Sequence, residues 1–213
     1  DVAGHASESA VFEVIGSVDA TGVRTTGDCQ RWVGNNNAVL TLGRNRTEGA
    51  GGAVRVASCN SIEDPVLPSY FTGFTALSIC DNTLARPEGP VPEGAVYYGG
   101  AIYGEEGSQL SIRGNGSVNI SNNSSENGGA IYVRSHGNAG GGIFGSLTIS
   151  DNKSVTFAQN TVTNKYAQAG FGGALNCTAI TISGNKGGTI TFSGNVAGAK
   201  GGAINVDATG FSQ

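Results

Sequence analysis

The sequence has little charge and no long apolar run. Charged residues make up 13% of its 213 residues, and the formal net charge is −4. Nucleic acids and anionic membrane surfaces call for clustered Lys and Arg, so neither is predicted as a partner. No stretch approaches the roughly 18 apolar residues of a membrane-spanning helix. These shortages favour a fold with close backbone packing and argue against one built from charged amphipathic helices.

Residues that bind metals are also scarce. The two histidines are far apart in sequence, and the four cysteines show no Cys-x-x-Cys or Cys/His spacing suited to zinc. We therefore predict no metal site and no cofactor. Disulfide bonds suit an exported protein, and pairs such as Cys59–Cys80 or Cys29–Cys59 would close short loops. Spacing alone leaves the pairing of these residues and Cys177 open.

Glycine, by contrast, is abundant and regularly placed. There are 36 glycines, and Gly-Gly-Ala followed by an aliphatic residue occurs five times, at spacings of 48, 29, 44 and 29 residues. The repeated short spacing predicts a basic unit of 29 residues, with insertions in the longer units. The glycine pairs are Gly51-Gly52, Gly99-Gly100, Gly128-Gly129, Gly172-Gly173 and Gly201-Gly202.

Each unit contains three short runs in which apolar residues alternate, as in Ile180, Ile182 and then Ile190, Phe192. A period of two predicts strands. An antiparallel propeller would need turns that reverse the chain, whereas here an apolar-x-x-Asn ending recurs in the same phase after successive strands. We therefore predict an all-β fold, a right-handed parallel β-helix (solenoid) of about five to six three-strand coils with an N-terminal cap and loop insertions.

Stacked coils place equivalent side chains above one another about 4.8 Å apart. We expect Phe157 and Phe192 to stack inside the helix, with aliphatic residues in the same position of the other coils, and asparagines to close the turns. Asn tolerates positive φ and its amide can bond the neighbouring turn, while Gly-Gly supplies positive φ and close approach. The aliphatic residues are Leu42, Ile79 and Ile120, and the asparagines are Asn45, Asn82, Asn123, Asn160 and Asn195.

The organisation predicted from these patterns is a cap, residues 1–38, followed by a β-helix, residues 39–213, with insertion loops at 60–98, 135–145 and 163–171. The 60–98 loop holds all five prolines. It is either a contact patch, since Tyr is favoured at interfaces, or a cover folded back to bury its own aromatic residues. Its contact candidates are Tyr70, Phe71, Phe74, Tyr97 and Tyr98.

The Gly-Gly-Ala-aliphatic and Phe-x-x-Asn motifs, the latter at Phe157–Asn160 and Phe192–Asn195, resemble those of the chlamydial polymorphic membrane proteins. The resemblance implies a surface-exposed autotransporter passenger, outer membrane-attached or released, that adheres to a host-cell receptor. It also implies that the chain meets the membrane only through a C-terminal barrel outside these residues. Although that family's motifs are associated with adhesion, we interpret these residues as mainly structural. Self-association of exposed strand edges is a further expectation.

Many parallel β-helices cleave polysaccharides, and such enzymes need clustered carboxylates, or calcium with basic residues. From residue 107 onward the only acids are Glu126, Asp151 and Asp207. No Ser/His/Asp or Cys/His constellation is recognisable either. The sequence therefore predicts a protein that is not an enzyme. The alternative is a glycan-binding or glycan-cleaving β-helix that uses acids and aromatic residues of the loops.

Overall fold

The structure is a computed structural model. It describes residues 31–47, 50–56, 69–85, 97–105, 108–133, 145–163, 170–185 and 187–206, together with the backbone of five short strands between residues 2 and 25. All of the regular structure in this part of the chain is β, and it contains no helix.

The strands are short and numerous, as alternating runs separated by Gly and Asn predict. Twenty-two are formed in chain order. They are β1 (Val2–Ala3), β2 (Ala6–Ser7), β3 (Phe12–Val14), β4 (Ser17–Val18), β5 (Arg24–Thr25), β6 (Arg31–Gly43), β7 (Arg46–Thr47), β8 (Val54–Val56), β9 (Ser69–Cys80), β10 (Thr83–Leu84), β11 (Ile102–Gly104), β12 (Gln109–Arg113), β13 (Ser117–Ser121), β14 (Ser124–Ser125), β15 (Ile131–Val133), β16 (Ser146–Ser150), β17 (Ser154–Ala158), β18 (Thr161–Val162), β19 (Leu175–Cys177), β20 (Ala179–Ser183), β21 (Thr189–Ser193) and β22 (Ile204–Val206).

These strands form three stacked sheets and one small pair. The first sheet has nine strands (β1, β6, β9, β12, β13, β16, β17, β20, β21), the second has five (β2, β7, β10, β14, β18) and the third has six (β3, β8, β11, β15, β19, β22). Every ladder in these sheets is parallel, and only β4–β5 is antiparallel. The chain therefore winds around the three sheets as a parallel β-solenoid, and that part of the predicted fold is confirmed.

About three turns, residues 109–133, 146–177 and 179–206, run through the sheets in the same order. Each turn has the three predicted strands, two in the first sheet and one in the third. A two-residue strand of the second sheet, or in the last turn a single bridge at Val196, lies between them. This short piece was not predicted, because two residues are too few to show alternation. The handedness, the number of coils and the cap stay predictions.

The predicted boundary between cap and solenoid, at residue 38, falls inside strand β6. Arg31–Val33 of β6 already pairs with Tyr70–Thr72 of the next coil. Upstream, β1, β2 and β3 pair in parallel with β6, β7 and β8. Parallel stacking thus extends into the segment that was assigned to the cap.

The assignment of residues 60–98 to one insertion loop is wrong at its centre. Residues 69–80 form β9, the second-longest strand, and 83–84 form β10, so both belong to a coil. The prolines lie in 57–68 and 86–96, outside the described residues, as do 134–144 and 164–169, which make up most of the other two predicted insertions. Because prolines lie on both sides of residues 69–80, this segment was predicted to be a loop, although its apolar residues alternate as in the other strands.

The core is a continuous column of apolar side chains between the three sheets. In β17, for example, Val155 and Phe157 are buried while Ser154 and Thr156 are partly exposed. Because like residues occupy successive coils, the pattern repeats up the stack. The largest fully buried side chains are Phe71, Phe157, Leu42, Leu77, Ile79, Ile102, Leu110, Ile112, Ile120, Ile131, Leu147 and Ile149.

Candidate functional site

The aromatic residues of the Phe-x-x-Asn motif stack as predicted. Phe157 and Phe192 are paired in register, and their rings lie 5.0 Å apart with an angle of 6° between the planes. The same column continues through Ile120, Ile79 and Leu42. Phe157 is fully buried. This position therefore fills the core, and its side chain is not available to a partner in an interior coil.

The asparagines of the same motif form a hydrogen-bonded ladder along the corner. In each step the backbone N–H and the Nδ2 of one Asn both donate to the Oδ1 of the next, as from Asn123 to Asn160 at 3.0 Å for both bonds. The Nδ2 group also donates to a backbone carbonyl of the preceding coil, as from Asn160 to Ile120 at 2.9 Å. The ladder comprises Asn45, Asn82, Asn123, Asn160 and Asn195.

A second asparagine ladder lies at the other corner of the first sheet and was not predicted. Asn115 donates to Asn152 Oδ1 from its backbone N–H and its Nδ2, and the backbone N–H of Asn152 donates to Asn185 Oδ1 at 2.9 Å. The signal was present in the sequence, since Ile112, Ile149 and Ile182 each precede one of these asparagines by three residues. The ladder was not predicted because the coil below has Phe74 at this corner in place of an asparagine. The Phe74 side chain has no amide, and its backbone N–H donates to Asn115 Oδ1.

The positive φ expected of the ladder asparagines belongs instead to the residue before them. Arg44, Asp81, Asn122 and Gln159 have φ between 55° and 61°. The chain turns the corner at this residue, and the amide of the asparagine that follows points along the ladder. The predicted position of the turn is correct, but the residue that bears the left-handed conformation is one earlier.

The two glycines of each Gly-Gly-Ala motif have different roles. Gly128 has a φ of 60°, which favours glycine. Gly129 has no such requirement, but a Cβ there would overlap the carbonyl oxygen of Gly173 and lie 2.9 Å from the backbone nitrogen of Thr161. The N–H groups of both glycines donate to the next coil, to the carbonyls of Phe171 and Gly172 at 3.0 and 3.1 Å. Positive φ and close approach, which were predicted jointly, are thus divided between the two residues.

The same geometry applies to the other motif candidates. Gly172 and Gly201 have φ of 64°, and Gly172 and Gly173 donate to Lys200 and Gly201. The nearest described atom to a Cβ at Gly202 is 4.0 Å away. The motif residues therefore hold coils together and are mostly inaccessible.

The five aromatic contact candidates do not form one patch. Phe71 is fully buried and stacks on Trp32 with ring centroids 4.3 Å apart, and Phe74 is also in the core. Tyr97 is 3% exposed, so it too is no surface contact. Tyr70 is half-buried on the outside, under the guanidinium of Arg113, which lies 4.7 Å from its ring centroid.

The last candidate, Tyr98, belongs to a cluster that sequence reasoning missed. Its ring stacks on Tyr132 with centroids 4.4 Å apart, and Tyr103 lies 6.0 Å from Tyr132. Tyr103 and Tyr132 are in register on the outer face of the third sheet, next to Arg55 in the coil below. The signal was the shared third position of Ala-Ile-Tyr in two repeats, at Ala101–Tyr103 and Ala130–Tyr132.

Amides continue this outer face above the tyrosines. Tyr132 pairs with Asn176, which in turn pairs with Asn205. Asn205 Nδ2 donates to Asn176 Oδ1 at 3.0 Å, and Asn176 Nδ2 donates to Asn127 Oδ1 at 2.9 Å. Below the tyrosines, Arg55 forms an ion pair with Glu105. The third sheet thus carries aromatic, amide and paired ionic groups outside.

The described residues bring no cluster of metal ligands together. They contain no group of three or more His, Cys, Asp or Glu side chains that could hold a metal ion. Cys80 and Cys177 are free thiols, so Cys80 forms no disulfide here, while Cys29 and Cys59 lie outside the described part. Burial raises the pKa of the Cys177 thiol to about 12. It is therefore protonated at neutral pH and serves as an apolar core residue.

The fold and its corners define a class, the parallel β-solenoids whose coils are joined by Gly-Gly-Ala and Phe-x-x-Asn repeats. The repeat model of the Chlamydia polymorphic membrane proteins matches residues 117–134 and 189–207. These two segments are similar to the repeat of a family that is membrane-associated by its name. No curated protein and no solved structure matches the chain. In the described residues no helix has the length and apolarity needed to cross a bilayer.

Proposed function

We propose that the chain is part of the surface-exposed passenger of an autotransporter and acts as an adhesin for host cells, without enzymatic activity. The observation that carries this proposal is the match of two coils to the repeat of the polymorphic membrane proteins. A rigid stack of coils with a long outer surface suits a protein that presents contacts away from a membrane.

The distribution of acidic residues supports the absence of catalysis. In the repeats beyond residue 107, Glu126 and Asp151 are the described acids, and they lie in different coils at different corners. General acid and base catalysis of glycoside cleavage requires two carboxyl groups that flank one bond. Glu126 and Asp151 do not form such a pair.

The buried motifs support an indirect role in adhesion. Phe157 and Asn160 are fully enclosed, and Gly129 is pressed against the next coil. Changing these residues is expected to abolish adhesion by unfolding the coil, whereas outer side chains make the contacts. Phe157→Leu keeps an apolar residue in the core, as Ile does in the coil below, and is expected to retain binding.

The experiment is a cell-binding titration of the labelled 213-residue chain, with Phe157→Leu as the fold-conserving motif variant and circular dichroism to check folding. We expect saturable binding that Phe157→Leu leaves within about twofold. Absence of saturable binding would overturn the adhesin proposal. A parallel screen against host and plant polysaccharides tests the second part of the proposal, since turnover of any of them would show an enzyme.

A further inference from the structure

The length of the chain between strands varies most around the third sheet. The turns that carry the five-residue Asn ladder always have the same length, as in 44–45, 81–82, 122–123 and 159–160. The connections that enter the third sheet range from 126–130 to 85–101, and those that leave it range from residue 178 alone to 134–145. In solenoids, insertions concentrate on one face, which is often the binding face. That face is here the third sheet.

The outer side chains of the third sheet also vary where the interior repeats. Inside, the Phe157 column is apolar in every coil, because the core requires it. Outside, the column read upward from β8 is Arg55, Tyr103, Tyr132, Asn176 and Asn205. Folding does not require tyrosine or asparagine in this outer column, since the coil that contains β8 has Arg55 at the same position.

Six residues, Tyr98, Tyr103, Tyr132, Asn127, Asn176 and Asn205, are called here the tyrosine–asparagine face; Tyr98, Tyr132 and Asn205 are partly exposed, while Tyr103, Asn127 and Asn176 are buried beneath them. Their hydroxyl and amide groups each offer both donors and acceptors. The charges at its border are balanced, since Arg55 pairs with Glu105, and Glu126 and Lys200 have opposite signs. The face therefore suits an uncharged ligand with many hydroxyl groups.

The exposed apolar side chains argue against a protein partner at this face. Protein interfaces are built around a desolvated apolar centre. The large hydrophobic residues that are exposed in the described chain are Val33, Val39, Ile182, Val196 and Val206. Val206 alone belongs to the third sheet, and it lies in the inward column of Cys177. None of the five is on the tyrosine–asparagine face.

We propose that the tyrosine–asparagine face binds an uncharged oligosaccharide that runs along the stack of coils. Tyr132 and Asn205, the partly exposed residues of the outer column, are two rungs apart, about 10 Å, so a disaccharide unit of the ligand spans them. The exposed surfaces of the Tyr98 and Tyr132 rings pack against the C–H groups of the sugar, and Asn205 bonds its hydroxyls. This inference rests on the proposed function, because it names the receptor chemistry of the adhesin.

The test is an array of defined oligosaccharides, neutral, sialylated and sulfated, probed with the 213-residue chain. The test variant is Tyr98→Ala with Tyr132→Ala, and the matched control is Thr156→Ala with Thr191→Ala on the outer face of the first sheet. We expect saturable binding of at least one neutral oligosaccharide, a loss of at least tenfold in affinity for the tyrosine variant, and none for the threonine variant. Thermal melting of both variants confirms that they are folded.

If the tyrosine variant does not fold, Tyr132→Phe with Asn205→Ala replaces it, since this pair removes hydroxyl and amide contacts and keeps the ring. Binding of charged glycans only, or equal binding by the tyrosine and threonine variants, would overturn the inference. Cell binding that survives enzymatic removal of cell-surface glycans would indicate a protein receptor. That outcome overturns the inference and keeps the adhesin proposal, whereas loss of all cell binding with glycan binding retained overturns only the adhesin proposal.

Discussion

The coil of residues 146–177 and the coil of residues 179–206 have nearly the same motifs but different surroundings. In the first, Phe157 and Asn160 are fully enclosed; in the second, their equivalents Phe192 and Asn195 are partly exposed. The difference comes from the next layer, because the described residues place a further coil above only the first. The same motif thus contributes different amounts of stability, and the amount depends on what is stacked on it.

The largest expected difference between the two coils is at the phenylalanines. Phe157→Ala should lower the free energy of unfolding by about 4 kcal/mol, because it leaves a cavity in a closed core. Phe192→Ala should cost about half as much, because the side chain is only partly buried and its site can collapse or fill with water. Urea denaturation of both variants measures the two losses. Equal losses would mean that the two coils are equally enclosed.

The asparagines should show the next largest difference. Asn160→Ala removes the acceptor of two bonds from Asn123 and leaves the buried carbonyl of Ile120 without its Nδ2 donor, for a cost of about 3 kcal/mol. Asn195→Ala removes the acceptor for Asn160 and a donor to Phe157, but water reaches the site, so we expect about 1 kcal/mol. Thermal unfolding of both variants gives the comparison. A larger effect at residue 195 would contradict this account of the ladder.

The second glycines of the motif give a purely steric comparison. Neither Gly173 nor Gly202 has a positive φ. A Cβ at Gly173 overlaps the carbonyl oxygen of Gly202, whereas at Gly202 the nearest described atom is 4.0 Å away. We expect Gly173→Ala to destabilise the protein by about 2 kcal/mol and Gly202→Ala to leave it unchanged. If Gly202→Ala proves equally harmful, as scanning calorimetry would show, another layer covers the second coil.

The smallest expected difference is at the turn before each ladder asparagine. Gln159 and Gly194 occupy the same position of the two coils, with φ of 55° and 59°. Gly194→Ala should cost about 1 kcal/mol, because it forces a side chain into the left-handed region. Gln159→Ala should change stability by less than about 0.5 kcal/mol, because that strain is already present. A reversed order of the two effects, measured by urea denaturation, would show that contacts outweigh conformation here.

The features that all coils share were predicted best from the sequence. The register of Phe157 over Phe192 and the five-residue Asn ladder follow from the constant three-residue offset between the apolar residue and the Asn of each motif, because a parallel stack places equivalent positions above one another. The positive φ was assigned one residue late, since Asn and its predecessor are both reasonable turn residues. Sequence spacing cannot separate two adjacent positions of one turn.

The features that differ from one coil to the next were predicted least well from the sequence. Phe71 and Phe74 were assigned to a loop because prolines flank them and Phe74 replaces the Asn found at residue 115 in the next coil. The tyrosine–asparagine face was missed for a related reason, since its residues come from four successive coils. Only the register of the third sheet shows that Tyr103, Tyr132 and Asn176 are neighbours.

The direction of the corner hydrogen bonds has a consequence for how such a protein changes in evolution. At each described Gly-Gly corner that has a coil above it, the N–H groups donate toward the following coil, as from Gly52 to Gly99 and from Gly129 to Gly172. At this corner each coil therefore donates to the coil that follows and accepts from the coil that precedes it. Duplication or loss of a whole unit preserves this fit, so the length of the protein can grow or shrink by complete rungs without redesign of any contact.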